Sequence, residues 1–518
     1  MMSIEADMVM SGGLAISEFA TVRPAHSQQR LLSKIMPAPI HNNDEQYYSP
    51  QTNGVQLTLS QPLSTFSIDV DTASYANVRR MLNAGQLPPA DAVRVEEFIN
   101  YFDYQYQGEQ FTDSPFQVLT DVTTSATSPG KHILRVALNA KPSEPMTRPD
   151  ANLVFLLDVS GSMNSPDKLP LLTKSLKMLT NQLTEDDSVA IVVYAGASGV
   201  VLEPTSGANK IAIKQALSQL QAGGSTNGGA GIELAYQLAQ KHFKEQGLNR
   251  VILATDGDFN VGKVDHEQLV ELVSEKRKTG ISLSVLSFGT GNLNDHLTEQ
   301  LANNGNGNAA YIDSISEARK VLVDEMQATL QTVAKDVKIQ VEFNPNNVAE
   351  YRLIGYENRA LKNEDFNNDK VDAGEIGAGH TVTAFYEITL TSSDSRSIDS
   401  LRYQDKASSE PNALASLNEE LAMVKLRYKP VDGDTSQLLS KVVKTSDIVD
   451  FSKASDDFQF ASAVSGFAEI VRGSDYWQHS DLEWVIATAS KTKGNDPFGY
   501  RNEFVRLVRD YQSLKGTE

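Results

Sequence analysis

The sequence predicts a doubly wound α/β core, Rossmann-like in its layering, inserted in a β-sandwich-like domain, with an additional α-helical part. Three observations carry this reading. Between residues 150 and 333, short continuous apolar runs alternate with amphipathic helical patterns, as in a parallel sheet covered on both faces. Strand-like alternation flanks that region on both sides. Beyond residue 431 the period turns helical. The 518 residues, 40% hydrophobic and 22% charged, suffice for about three domains with buried cores.

Residues 1–60 lack sustained periodicity and are punctuated by Pro37, Pro39, Asn42, Asn43 and Gln46, which reads as a disordered tail. An N-terminal helical segment spans 61–112. Val78, Met81 and Leu82 recur at helical spacing before Gly85, and Val95, Phe98, Ile99 and Phe102 form the face of a second buried helix. In 113–148 two strands are expected, Phe116 to Val122 and His132 to Leu138. A lone pair of strands is marginal in water, so these are expected to pair with the β domain of 334–430. That domain shows alternation at Val337, Ile339, Val341 and Phe343, at Val382, Ala384, Tyr386 and Ile388, and a strand from Leu421 to Tyr428.

The α/β strands are Leu153 to Leu157, Val189 to Tyr194, Val251 to Ala254 and Ile281 to Phe288. Helices between them carry Leu169, Leu172, Leu176 and Leu179, then Ile232, Ala235, Leu238 and Ala239, then Leu269 and Val273. A last helix is expected from Ser316 to Leu330, running straight into the strand at Lys335. Residues 431–518 are expected to be helical, around Phe460, Val464, Phe467, Ala468 and Val471 and then Phe504, Leu507 and Val508.

Charge and composition exclude several functions. Forty-six basic against 66 acidic residues give a net charge of −20, the wrong sign for gripping phosphate backbones, so no nucleic acid is expected. Cysteine is absent, which excludes disulfides, thiolate metal sites and Cys nucleophiles. No run reaches the ~20 apolar residues of a transmembrane helix. Met1 to Ala15 lacks the basic start and apolar stretch of a signal peptide, which leaves the cytoplasm open as a location.

The chemistry concentrates at the carboxyl ends of the α/β strands, where open parallel sheets bind ligands. Asp158-Val159-Ser160-Gly161-Ser162 follows the first strand, Gly223-Gly224-Ser225-Thr226 lies on a later loop, and Thr255-Asp256-Gly257-Asp258 follows Ala254. Carboxylates and hydroxyls are hard donors suited to Mg2+, Mn2+ or Ca2+. The purely local alternative has Ser160 and Ser162 capping the next helix while Asp158 and Asp256 make turns.

In order and spacing, Asp158, Ser160, Ser162, Thr226 and Asp256 resemble the metal-ion-dependent adhesion site, MIDAS, of von Willebrand factor A domains and integrin inserted domains. The resemblance implies that Ser160, Ser162 and Thr226 touch the metal, with Mg2+ the first expectation. Asp158 and Asp256 act through bound waters, and one position is left for an Asp or Glu of a protein partner. Two flanking stretches, Ser64 to Tyr75 and Asp496-Pro497-Phe498-Gly499-Tyr500-Arg501, resemble the bacterial YfbK-like family, whose members place such a domain between their own terminal parts. The family implies a cell-envelope location, often as a lipoprotein; this sequence departs by lacking the lipobox cysteine. In inserted integrin-type domains the last helix moves when the metal gains its ligand. By that resemblance a one-turn shift of the Ser316 to Leu330 helix is expected to reach the β domain.

Other motifs are weaker. Gly257 to Lys263 fits a P-loop until Val264 replaces the hydroxyl that would bind Mg2+, and two carboxylates there repel a triphosphate. Asp365, Asn367 and Asp369, with Asp372 and Glu375 behind, have calcium-loop spacing, but Lys370 and Ile376 stand at two required positions, so a solvated acidic loop is expected. Asp69 and Asp71 are expected to serve a structural hydrogen-bonding role. No Gly-x-Ser-x-Gly elbow or metalloprotease spacing occurs. The function expected is a non-enzymatic, metal-dependent protein-binding module of the adhesion type. The alternatives are a scaffold or chaperone-like subunit working with an ATPase, and a magnesium-dependent enzyme.

Overall fold

A computed structural model describes residues 45–47, 51–104, 106, 111, 114–142, 149–225, 228–257, 266–326, 331–399, 419–477 and 481–516. In chain order, strands β1 (Gln56–Leu57) and β2 (Leu63–Ser67) precede helices α1 (Ala73–Asn83) and α2 (Val95–Asn100). Strands β3 (Phe116–Thr124) and β4 (His132–Ala140) follow. The α/β core comprises β5 (Ala151–Asp158), α3 (Leu169–Gln182), β6 (Ser188–Tyr194), β7 (Ser198–Ser206), α4 (Lys210–Ser218), α5 (Gly228–Lys241), β8 (Leu248–Thr255), α6 (His266–Arg277), β9 (Ser282–Phe288), α7 (Asp295–Asn304), β10 (Ala309–Ile312) and α8 (Ile315–Arg319). Then come β11 (Thr332–Phe343), β12 (Val348–Ile354), β13 (Gly374–Gly377), β14 (Thr381–Leu390), β15 (Glu420–Pro430), β16 (Gln437–Lys444) and β17 (Ile448–Val449), and helices α9 (Asp456–Arg472), α10 (Leu482–Thr492) and α11 (Tyr500–Lys515).

Three sheets result. The α/β sheet has the order β10-β9-β8-β5-β6-β7, parallel except for the antiparallel edge strand β7. Each strand feeds both layers: Leu153, Phe155 and Leu157 pack with α3 and α4 residues on one face, while Val154 and Leu156 pack with Ile232, Ala235 and Leu269 on the other. A continuous apolar run is what a strand buried on both faces requires.

The second sheet has the order β1-β12-β14-β4-β3-β17. Here β4, which precedes the α/β core, pairs with β14, which follows it, from His132 opposite Ile388 to Asn139 opposite Thr381. The core is therefore an insertion between two strands of one framework. The third sheet, β13-β11-β15-β16 with β2 also on β11, packs across from the second. Leu134, Val136 and Leu138 meet Ile339, Val341 and Phe343 in the sandwich interior. Alternate residues of the same strand, Ile133 and Ala137, face the helical layer built on Phe98, Phe102, Phe460, Phe467 and Phe504.

Several boundaries differ from the sequence expectation. Residues expected to continue a disordered tail include an anchored stretch: Gln46 bridges Asn294, the Glu45 carboxylate accepts from Gly291 N at 3.0 Å and Arg80 at 2.9 Å, and β1 adds to β12. These are contacts of single side chains and edges, which leave no periodicity to read. The C-terminal helical part begins at Asp456 rather than 431, because β16 is an exposed edge strand whose two faces do not segregate. The expected Ser316–Leu330 helix is not uniformly α-helical. After α8 the chain widens into a π turn, Lys320–Asp324, and residues 327–330 lie outside the described residues. The wide turn carries the buried Lys320 ammonium beneath the Tyr101 and Tyr500 rings and onto Glu325.

Asp69 and Asp71 lie just past β2, both buried. Arg359 reaches each at 3.1 Å, and Asp71 Oδ1 accepts from Ala309 N at 2.8 Å. That is a structural role, tying the N-terminal segment, the sandwich and the insert together. In the acidic loop, Asp369 accepts from Arg427 and Ser436, and Asp372 from Arg277. Those carboxylates answer basic side chains, and Asp372 joins the loop to α6 of the insert.

Candidate metal centre

The three loops converge at the carboxyl edge of the α/β sheet. Asp158 ends β5, and its Oδ1 accepts from Ser160 N at 2.8 Å, turning the chain sharply off the strand. Backbone bonds then lace the loops together: Val159 N to Tyr194 O at 3.0 Å, Gly161 N to Gly224 O at 3.0 Å, and Gly223 N to Val159 O at 2.8 Å. Asp256 follows β8 directly. The next residue, Gly257, has φ +94°, and a Cβ there would stand 2.5–2.6 Å from the backbone of Asn292, Leu293 and Asn294. Only glycine lets the β8 loop pass so close to the loop after β9.

Asp158, Ser160 and Asp256 are buried, whereas Ser162 and Ser225 are exposed at the rim. Ser160 Oγ and Ser162 Oγ stand 2.9 Å apart. Ser160 makes no side-chain cap to the short helical turn that follows, so helix capping does not account for its hydroxyl. Asp158 Oδ2 is buried and meets no donor at full hydrogen-bonding geometry among the described residues, although the Tyr194 hydroxyl and Ser160 lean on the carboxylate. Burial pushes Asp158 up to about 6, with hydrogen bonds from Ser160 pulling down and the Asp256 charge adding to the rise. Thr226 lies outside the described residues.

These donors fit a hard divalent cation. The Ser160 and Ser162 hydroxyls stand together beside the Asp158 carboxylate, Asp256 follows the neighbouring strand, and a buried oxygen of Asp158 lacks a full hydrogen bond. Among the described residues no group of three or more His, Asp or Glu could hold a metal.

One participant was not read from the sequence. Lys168, at the start of α3, places Nζ 2.8 Å from Asp256 Oδ2, with both side chains buried. A signal existed: a lysine at a helix N-terminus opposes the helix dipole, so something must hold it there. Its partner, 88 positions away, could not be named without the fold.

The von Willebrand factor type A domain model matches residues 152–328, and the model described as the C-terminal part of the uncharacterized protein YfbK matches 328–514. A further model, described as von Willebrand factor, matches 41–135. The chain is 46% identical to the uncharacterized protein YfbK of Escherichia coli K12 over 468 residues, 89% of this chain and 80% of that one. The chain belongs to the YfbK family. It is also 25% identical to human inter-alpha-trypsin inhibitor heavy chain H3 over 259 residues, 46% of this chain and 28% of that one. Among solved structures, a von Willebrand factor type A protein from Catenulispora acidiphila is similar at 14% identity and a TM-score of 0.44, covering 77% of this chain and 91% of that one. Both flanking stretches of this family member serve the framework. Tyr75 stacks on Tyr101, Tyr500 packs edge-on against Tyr101, and Arg501 donates to Asp457. No helix among the described residues is long and apolar enough to cross a membrane.

Proposed function

We propose that this chain is a non-enzymatic, metal-dependent protein-binding module of the bacterial envelope that grips an Asp or Glu of its partner. The observation that carries the reading is the buried Asp158 carboxylate, one oxygen of which meets no donor at full hydrogen-bonding geometry, beside the buried Ser160 hydroxyl and below the exposed Ser162 at the rim. Ser160, Ser162 and Thr226 are the residues that would hold Mg2+, Mn2+ or Ca2+ directly, with Asp158 and Asp256 as supporting carboxylates. When bound, the cation supplies an electrophilic position open to one carboxylate oxygen. The protein's part is to hold the Ser162 hydroxyl at the rim beside the buried Ser160 hydroxyl, keep the carboxylates buried beneath them, and leave one side facing solvent. The envelope location rests on the family resemblance.

Calorimetry with Mg2+ or Mn2+ tests the site. Asp158→Ala is expected to abolish metal binding and any EDTA-sensitive partner capture, while the circular dichroism spectrum stays that of the parent. Unchanged metal affinity in the variant removes Asp158 from the site and with it the reading.

A further inference from the structure

The loop after β9 is shaped around one side chain. Gly289 has φ +74°, and a Cβ built there would stand 2.2–2.7 Å from Cγ, Cδ and Cε of Lys168. Tyr311 fastens the same turn by donating its hydroxyl to Gly289 O at 2.7 Å. The methylene stem of Lys168 therefore runs in a slot that any residue other than glycine would close, and its ammonium emerges on Asp256 Oδ2. The pair is almost dry, at 7% and 0% side-chain exposure. Lysine at a helix start opposes the helix dipole, and a buried ammonium is costly even when paired. A fold that only needed α3 packed could place an apolar residue in this slot.

We infer that Lys168 is the positioning and charge-setting residue of the metal centre. The inference rests on the metal reading above and concerns the kind of ligand the centre selects. Lys168 holds one oxygen of Asp256, which fixes the carboxylate's rotation. Its charge offsets one of the two carboxylates. The site without metal then carries a net charge near −1 rather than −2, and with a divalent ion near +1 rather than zero. A residual positive charge makes an anionic ligand favourable where a neutral one would not be. Lys168 thus trades metal affinity for selectivity toward a carboxylate.

The test is a Mn2+ titration of the full chain by electron paramagnetic resonance, on wild type, Lys168→Met and Lys168→Gln, with and without acetate as the carboxylate probe. Both variants keep most of the stem and remove the charge, so one remains informative if the other folds poorly. Removing a unit charge one carboxylate away from a divalent ion is worth about tenfold even at the dielectric of water. Both variants should therefore bind Mn2+ about tenfold more tightly. Acetate should tighten Mn2+ binding in wild type and lose most of that effect in the variants. Equal or weaker Mn2+ binding in the variants, or an undiminished acetate effect, overturns the role of Lys168 and leaves the metal centre standing. If wild type binds no Mn2+ at all, the metal centre falls and this assignment with it.

Discussion

Burial decides what the acidic side chains do. Asp158, Asp256, Asp69 and Asp71 are all buried, yet the last two meet Arg359 while the first keeps an oxygen without a full hydrogen bond. The Asp158-x-Ser160-x-Ser162 spacing was legible because a strand end fixes where the next four residues go. Lys168 was not, since nothing in a linear sequence shows which carboxylate an ammonium reaches. A second carboxyl shows the same physics with a pH signature. Glu375 on β13 is pushed up to about 8, first by burial and then by Asp372 and Asp336, against the pull of Arg277 and Arg250. Its folded pKa exceeds the ordinary value near 4.5, so its contribution to stability is full below pH 4.5 and is lost as pH rises through 8. Glu375→Gln should melt like wild type near pH 4.5. Above pH 8 it should be more stable, by about 1–3 kcal/mol. A difference that does not change between those pH values would show that Glu375 ionises freely in the fold.

Helices α1 and α8 meet at a cluster of charges that periodicity could not reveal. Arg79 of α1 holds Asp313 at 2.5 Å and Glu317 at 2.7 Å, donates to the Tyr101 hydroxyl, and reaches Glu503 of α11 at 3.3 Å. The apolar spacing of α1 was readable from Val78, Met81 and Leu82, but Arg79 on the same helix is equally buried. Arg79→Met leaves two buried carboxylates facing each other and should cost about 3–5 kcal/mol in chemical denaturation. The same cluster bears on the expected movement of the last helix. A one-turn shift of about 5.4 Å would pull Glu317 off Arg79 and Tyr101, and Lys320 off Glu325. These buried bonds argue against the shift that the integrin resemblance implied. Hydrogen exchange over Val321 to Met326 is accordingly expected to be the same with and without a carboxylate ligand plus Mg2+. Faster exchange when the metal gains that ligand would show that the cluster opens and would restore the coupling.

For the whole molecule, the doubly wound core and its insertion were readable in the sequence, because strands buried on both faces and strands buried on one face leave different periods. The framework strands β3, β4, β11, β14 and β15 lie where alternation placed them. What stayed hidden included β7, β13, β16 and the segment around Glu45, edges or short additions whose stability comes from a neighbour rather than from their own pattern, and the interior strand β12, whose buried Glu350 and Arg352 break the apolar alternation. The sandwich and the insert are also joined more tightly than two linkers would require. Arg359 bridges to Glu299 at 3.4 Å, and Arg277 bridges to Asp372 at 2.5 Å.

The ladder between β4 and β14 has a consequence for biosynthesis. The ribosome completes β4 early and reaches β14 only after the entire insert has been made. Until then one edge of β4 has no neighbour, and an unpaired edge invites pairing with another chain. An insert that folds as it emerges draws its two ends together and shortens the wait, since the entropy of closing the framework then falls on short linkers. The inserted domain is in this sense the framework's own assembly jig. A nascent chain that stalled inside it would keep β4 exposed, a mark by which quality control could tell it from a finished copy.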